Sequence, residues 1–158
     1  MDAIEYKLLG FLQQDASLSN AELARRVGLS TAGVHKRIKR LRQRGYIEGS
    51  VTRLSKAALG LDLLCYLLIT FKENMHPANM DRLKAAVADR PEVLECYMLT
   101  GQNDAIMKVL VKDHSALKRL LVDLSKRQDV IGRTSTCIVL DKLKETSCLP
   151  LTHLVEPG

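Results

Sequence analysis

The sequence predicts an α+β chain in two parts, and three observations carry that reading. Residues 3–44 place apolar side chains at helical spacing, interrupted by turn residues. From residue 63 onward, runs rich in Leu, Val, Ile and Cys alternate with helical segments. Near residues 50–62 neither pattern holds. The expected divisions are a helical domain over 1–50, a linker over 51–62, a mixed domain over 63–145 and a tail over 146–158.

The first helix is expected near 3–14, with Ile4, Leu8, Phe11 and Leu12 on one side. Ser19, with Glu22 three residues on, reads as a capping box that opens a second helix. Ala21, Leu23, Ala24 and Val27 form its buried side, and Gly28 ends it. Ser30 caps a third helix that runs to about Arg44 and stops at Gly45. Ala24, Gly28 and Val34 stand at the spacing of a helix-turn-helix. The small residue lets two helices approach, Gly takes the turn, and Val plugs the second helix onto the first. Tyr46 to Leu54 suits a short hairpin, the wing of a winged helix-turn-helix. Ser55 to Leu61 reads as a linker with a helical turn.

The second part reads as strand 63–72, helix 77–89, strand 93–100, strand 104–112, helix 114–127 and strand 130–142. Pro77 suits a helix start. Arg90-Pro91 suits a helix end, because the residue before Pro avoids the α region. Thr100 to Asn103 is a turn cluster between two strands. The order βαββαβ is that of a ferredoxin-like sandwich, four antiparallel strands with two helices on one face. The run LLCYLLITF suits a strand covered on both faces, by helices and by a partner subunit. The tail, with Pro150 and Pro157, is expected to extend along a partner subunit or to stay loose.

Composition narrows the function. An apolar fraction of 46% over 158 residues supports a real core. Only 4% of residues are aromatic and none is Trp, which argues against modules that stack bases on aromatic platforms. A net charge of +6 favours polyanionic partners. Cys65, Cys96, Cys137 and Cys148 form no CxxC unit and no zinc pattern with the histidines. The first three are expected as small buried hydrophobes in strands. The opening MDAIEYKLL is no signal peptide, and LDLLCYLLITF falls short of the roughly 20 residues that cross a bilayer. A cytoplasmic protein with no membrane partner is the expectation.

The third helix carries the chemistry. At about 100° per residue, Val34, Ile38 and Leu41 share a narrow arc that must face the core. Ala32, Lys36, Lys39 and Gln43 lie opposite. His35 and Arg42 flank one side, and Arg37, Arg40 and Arg44 the other. Residues 30–44 hold six Lys or Arg and no acid, whereas a merely solvated helix interleaves both signs. Double-stranded DNA is therefore the expected partner. A recognition helix turns its N-terminal residues to base edges, which singles out Thr31, Ala32, His35 and Lys36. Ser30 and the amides at the helix start suit a phosphate. Ala32 and Gly33 are short enough to let the backbone approach the groove. Arg37, Lys39, Arg40 and Arg42 are expected on phosphates, with packing inside its own domain as the alternative for Arg37. Two half-sites about one turn apart are needed for useful specificity, so at least a dimer is expected.

NAELARRVGLS, VHKRIKRLRQRGYIEG, LTGQNDAIMKVLVKD and TSTCIVLDKLKE, in this order, resemble the Lrp/AsnC family of leucine-responsive or feast/famine regulators over about residues 2–145. The resemblance implies that the second domain senses an amino acid, pairs into dimers and assembles into octamers. It implies an effector pocket between dimers, built from Thr100, Gly101, Gln102, Asn103 and Asp104 and from Thr134, Ser135 and Thr136 of a neighbouring subunit. Asp104 would take the ammonium group, and turn amides and Thr hydroxyls the carboxylate. The family often has an aromatic residue beside the loop Asp. Here those places hold Asn103 and Ala105, which suits a larger or more polar effector. No cofactor or metal is expected.

Three rival readings remain. A regulatory or architectural DNA-binding protein with no effector shares every feature but the pocket. An interaction module would use the same amphipathic helix for a protein partner, but the positive outer arc argues against it. An enzyme would need a nucleophile with a base, and neither Cys96 nor Cys137 has one by motif. His76, His114 and His153 share no pattern, and no phosphate loop or nucleophile elbow is present.

Overall fold

The computed structural model describes residues 1–72, 77–126 and 131–154, the last segment without the side chains of Thr152 and His153. His76, Arg127, Val130 and Pro157, which the sequence reading used, lie outside the described residues, as does the His153 side chain. The chain forms two compact units: Met1–Arg53 with Lys144–Gly158, and Leu54–Leu143.

The first unit holds α1 (Ala3–Gln14), α2 (Asn20–Val27) and α3 (Thr31–Gln43). Leu8, Leu23, Ala24, Val34 and Ile38 make its buried cluster, with Ile4, Phe11, Leu12 and Val27 packed against them. Leu41 is also fully buried, so the expected arc of α3 faces inward. Ala21 does not join and is exposed. On the wheel it stands about 110° from the centre of the arc that Leu23, Val27 and Ala24 share.

The caps differ in detail from expectation. Ser19 Oγ accepts from the Glu22 amide at 3.2 Å, but the Glu22 carboxylate turns to Arg26 at 2.8 Å, so only half of the capping box forms. A complete box forms at α1, between Asp2 and Glu5. Gly28 takes φ 69°, and the Leu29 amide donates back to the Ala24 carbonyl at 3.1 Å. Gly45, at φ 75°, closes α3 in a Schellman motif: Tyr46 N–H donates to Leu41 C=O at 2.9 Å and Gly45 N–H to Arg42 C=O at 3.0 Å.

Tyr46 to Leu54 forms no strand or hairpin, which corrects the short hairpin expected there. Ile47 packs against the helical cluster, but Val51 is 88% exposed and Leu54 70%, so the rest of the segment has no buried apolar face that could set a strand register. The tail also behaves differently from expectation. Residues 144–154 lie with the first unit, where Gln13 Nε2 donates to the Leu149 carbonyl at 3.0 Å and Gln13 Oε1 accepts from the Leu149 amide at 2.8 Å.

The second unit begins with a 3-10 turn at Ala57–Leu59, followed by β1 (Leu63–Phe71), α4 (Pro77–Ala88), β2 (Val93–Met98), β3 (Ala105–Val111), α5 (His114–Ser125) and β4 (Ile131–Ile138). The strands form one antiparallel sheet in the order β2-β3-β1-β4, the expected βαββαβ topology. Cys65, Leu67, Ile69 and Phe71 of β1 and Ala105, Met107, Val109 and Val111 of β3 pack against Leu83 of α4 and Leu117, Leu120 and Leu124 of α5. The alternate residues, Tyr66, Leu68 and Ile106, occupy the helix-free face and are half-buried, with Tyr97 57% exposed beside them. Lys108 and Glu95 form a 2.7 Å ion pair on the same face.

Edge position changes β4. It ends at Ile138 rather than 142, and past that end the Val139 amide reaches back to Leu64 C=O at 3.0 Å. Cys137 pairs with Tyr66 on the helix-free face and is exposed, Cys96 is half-buried, and only Cys65 is fully buried. Burial pushes the thiols of Cys65 and Cys96 up, away from thiolate reactivity.

At Gly132, where β4 meets the end of β1, a Cβ would stand 3.0 Å from the Lys72 backbone. Gly132→Ala should therefore cost about 1–3 kcal/mol, because backbone cannot yield as a side chain can. Gly10, inside α1, has nothing within 4 Å of its Cβ position. Gly10→Ala should stabilise by about 0.5–1 kcal/mol. Urea denaturation of the two variants should move in opposite directions.

Candidate nucleic-acid interface and effector site

The basic helix α3 is held on two sides by different chemistry. Ser30 Oγ accepts from the Gly33 amide at 3.1 Å, and a Cβ at Gly33 would stand 3.2 Å from that oxygen. Gly33 thus makes room for the cap as well as for any approach to a groove. Thr31, Ala32, His35 and Lys36 are exposed. The Asn20 amide nitrogen stands 3.3 Å from His35 Nδ1. Asn20 was not singled out by sequence, because its role arises only when α2 crosses α3.

On the other side, α1 supplies acids. Arg40 donates to Glu5 Oε1 at 2.5 Å, and Arg37 pairs with Asp2 and stands 3.9 Å from the same Glu5 oxygen. The Glu5 side chain is only 3% exposed. Its other oxygen accepts from the Asp2 amide at 3.2 Å, completing the capping box. Arg37 thus follows the packing alternative raised from sequence, and Arg40 is engaged in the same way. Lys36, Lys39 and Arg42 remain exposed. Arg44 stacks over Tyr46, 5.1 Å from the ring centre. The Asp2-x-x-Glu5 pattern was a legible cap signal; its pairing with arginines 35 residues away was not.

The candidate effector residues gather at one end of the sheet in the second unit. Gly101 takes φ 126°, which favours glycine in the loop. Leu99 N–H donates to Asp104 C=O and Asp104 N–H to Ile69 C=O, both at 2.8 Å. The Asp104 side chain accepts the Phe71 amide at 2.7 Å, so its carboxylate ties β3 to the end of β1. Thr100, Gly101 and Gln102 are exposed, and Asn103 is half-buried. Ala105, Ile69 and Thr134 are neighbours across β3, β1 and β4. Two strand spacings put Thr134 about 10 Å from the loop end. Thr134 and Thr136 pair with Ile69 and Leu67, on the helix side, while Ser135 pairs with Leu68 on the helix-free side. The alternation of the strand thus separates Ser135 from the two threonines.

Two family models match this chain: a winged helix-turn-helix DNA-binding model over residues 1–48, and the Lrp/AsnC ligand-binding domain over residues 64–149. The chain belongs to the Lrp/AsnC family of DNA-binding transcriptional regulators. It is 33% identical to the leucine-responsive regulatory protein of Salmonella typhimurium over 149 residues, 94% of this chain and 90% of that one. The Escherichia coli counterpart is 32% identical over the same coverage. Among solved structures, a Neisseria meningitidis transcriptional regulator in complex with L-methionine matches with a TM-score of 0.92 at 28% identity, covering 98% of this chain and 99% of that one. Escherichia coli AsnC matches with a TM-score of 0.84 at 28% identity, covering 94% and 97%. These relatives are transcriptional regulators, which removes the enzyme reading. No helix among the described residues is long and apolar enough to cross a membrane.

The acid–arginine cluster generates a pH prediction. The Arg37 guanidinium and the Glu5 amide hold the Asp2 carboxyl below its usual range. Burial pulls the Glu5 carboxyl up, but Arg40 and the Asp2 amide outweigh it, and the net direction is down. A depressed folded-state pKa contributes stability that is complete above the unfolded value, about 4, and lost as pH falls through the folded one. The melting temperature should therefore drop as pH falls below about 4, and less steeply in Asp2→Asn than in the native chain. Circular-dichroism melts between neutral and acid pH measure it.

Proposed function

We propose that two copies of α3 read successive half-sites of a DNA duplex, and that an amino acid bound in the second unit modulates the assembly. The exposed row of His35, Lys36, Lys39 and Arg42, on a helix whose opposite face is locked in the core, carries the DNA part. Thr31, Ala32, His35 and Lys36 face base edges. Lys39, Arg42, Ser30 and the amides at the start of α3 hold phosphates. The reading puts the protein in the cytoplasm, where its DNA lies.

The effector part rests on the ligand-binding family model and on the bound methionine of the Neisseria relative. The loop Thr100 to Asp104 and the threonines of β4 are the proposed ligands. Within one chain they stand about 10 Å apart by strand spacing, farther than the ammonium and carboxylate of one amino acid. A pocket that joins the loop of one copy to Thr134 and Thr136 of another removes this gap. The half-buried apolar row of Tyr66, Leu68 and Ile106 suits a homodimer made face to face through the sheet, and an octamer of such dimers would supply the second copy that the pocket needs. A regulator with no effector is the second reading. It is favoured by the Asp104 carboxylate, one oxygen of which already accepts the Phe71 amide.

Lys36→Ala should weaken binding to the selected site by about 1–3 kcal/mol while changing random-duplex binding little, by fluorescence anisotropy on both duplexes. Equal loss on both would make Lys36 a phosphate contact. Isothermal titration against the twenty amino acids should give heat with at least one, and Thr134→Val should weaken it. Heat with none would leave the second reading standing.

A further inference from the structure

The Asp2, Glu5, Arg37 and Arg40 cluster does more than join α1 to α3. We propose that Glu5 sets DNA specificity by withholding Arg37 and Arg40 from the phosphates. The inference rests on the reading of α3 as the DNA-facing helix.

Three observations support it. The Glu5 side chain is 3% exposed, whereas the Arg40 side chain is 52% exposed. Drawing Arg40 onto DNA would leave a buried carboxylate without its closest cation, an expensive arrangement that the protein avoids by keeping the pair. Arg37 is 26% exposed, between Asp2 and Glu5, so it is doubly held. Lys36, Lys39 and Arg42, which pair with no acid among the described residues, sit on the outer and opposite arcs. Phosphate contacts add affinity without regard to sequence, so each cation withheld lowers non-specific binding and leaves base contacts a larger share of the total.

Glu5→Gln tests this directly. Gln keeps the length of the side chain and can still accept the Asp2 amide of the capping box. Binding to a random duplex is measured by anisotropy across a salt series, in the full-length chain. The plot of log affinity against log salt should steepen by about one to two units for each α3 on the duplex, and random-duplex affinity at low salt should rise several-fold. Arg40→Gln should change random-duplex binding little in the native background. In the Glu5→Gln background it should take back most of the gain, because only there is Arg40 on a phosphate.

An unchanged slope in a folded Glu5→Gln protein would overturn the proposal. So would an Arg40→Gln loss of equal size in both backgrounds, since Arg40 would then contact DNA despite Glu5. Should Glu5→Gln fail to fold by circular dichroism, Asp2→Asn and Arg37→Gln provide the same cycle on the more exposed half of the cluster, where Asn caps a helix as well as Asp. Native protein that binds no duplex at all would instead refute the DNA-facing reading of α3 and this proposal with it. Binding with a flat cycle would refute the proposal alone.

Discussion

A carboxylate that is nearly closed off from water must be met by charge or by several donors, and in the first unit that carboxylate belongs to Glu5. One oxygen completes the cap of α1 and the other takes Arg40, with Arg37 nearby. The start of α1 is thereby tied to the middle of α3. The apolar cluster of Leu8, Leu23, Val34 and Ile38 brings the helices together, but apolar contact is non-directional. The ion-paired cluster adds direction, holding one flank of α3 while Asn20 meets the other at His35. Between these two flanks the outward arc is left to Lys36 and Lys39.

The second unit shows the same economy of a single acid. Asp104 accepts the Phe71 amide with its side chain, and its own amide donates to Ile69. The loop Thr100 to Asn103 therefore leaves the sheet at a defined place, beside the row Ala105, Ile69 and Thr134. The same aspartate that the effector reading assigns to an ammonium group already holds the frame of the loop. Both roles are open to a carboxylate, which has two oxygens and several lone pairs.

Much of this was legible in the residues. The periodicity of α3 separated Val34, Ile38 and Leu41 from the basic arc, because a helix with a buried stripe leaves its signature every three to four residues. The apolar runs that became β1 and β3 and the turn at 100–103 yielded the βαββαβ order. What failed to show lay in pairings between distant segments. The hairpin did not form, because past Ile47 the segment leaves Val51 and Leu54 exposed. Ser135 left its two neighbours, and Cys137 reached the surface, because burial on an edge strand depends on what lies beside it. The tail met Gln13 through backbone groups that any sequence possesses.

By itself, then, the sequence determined the element types, their order, the stripe that α3 buries and the sign of the charge it presents. These follow from local spacing and composition, and they were enough to indicate DNA. Tertiary structure alone decided which of the cations remain available. Lys39, Arg40 and Arg42 share one expected role, a phosphate contact, when read along the chain. They differ because α1 brings Asp2 and Glu5 to one flank of α3, and Coulomb attraction acts on distance in space rather than on distance in sequence.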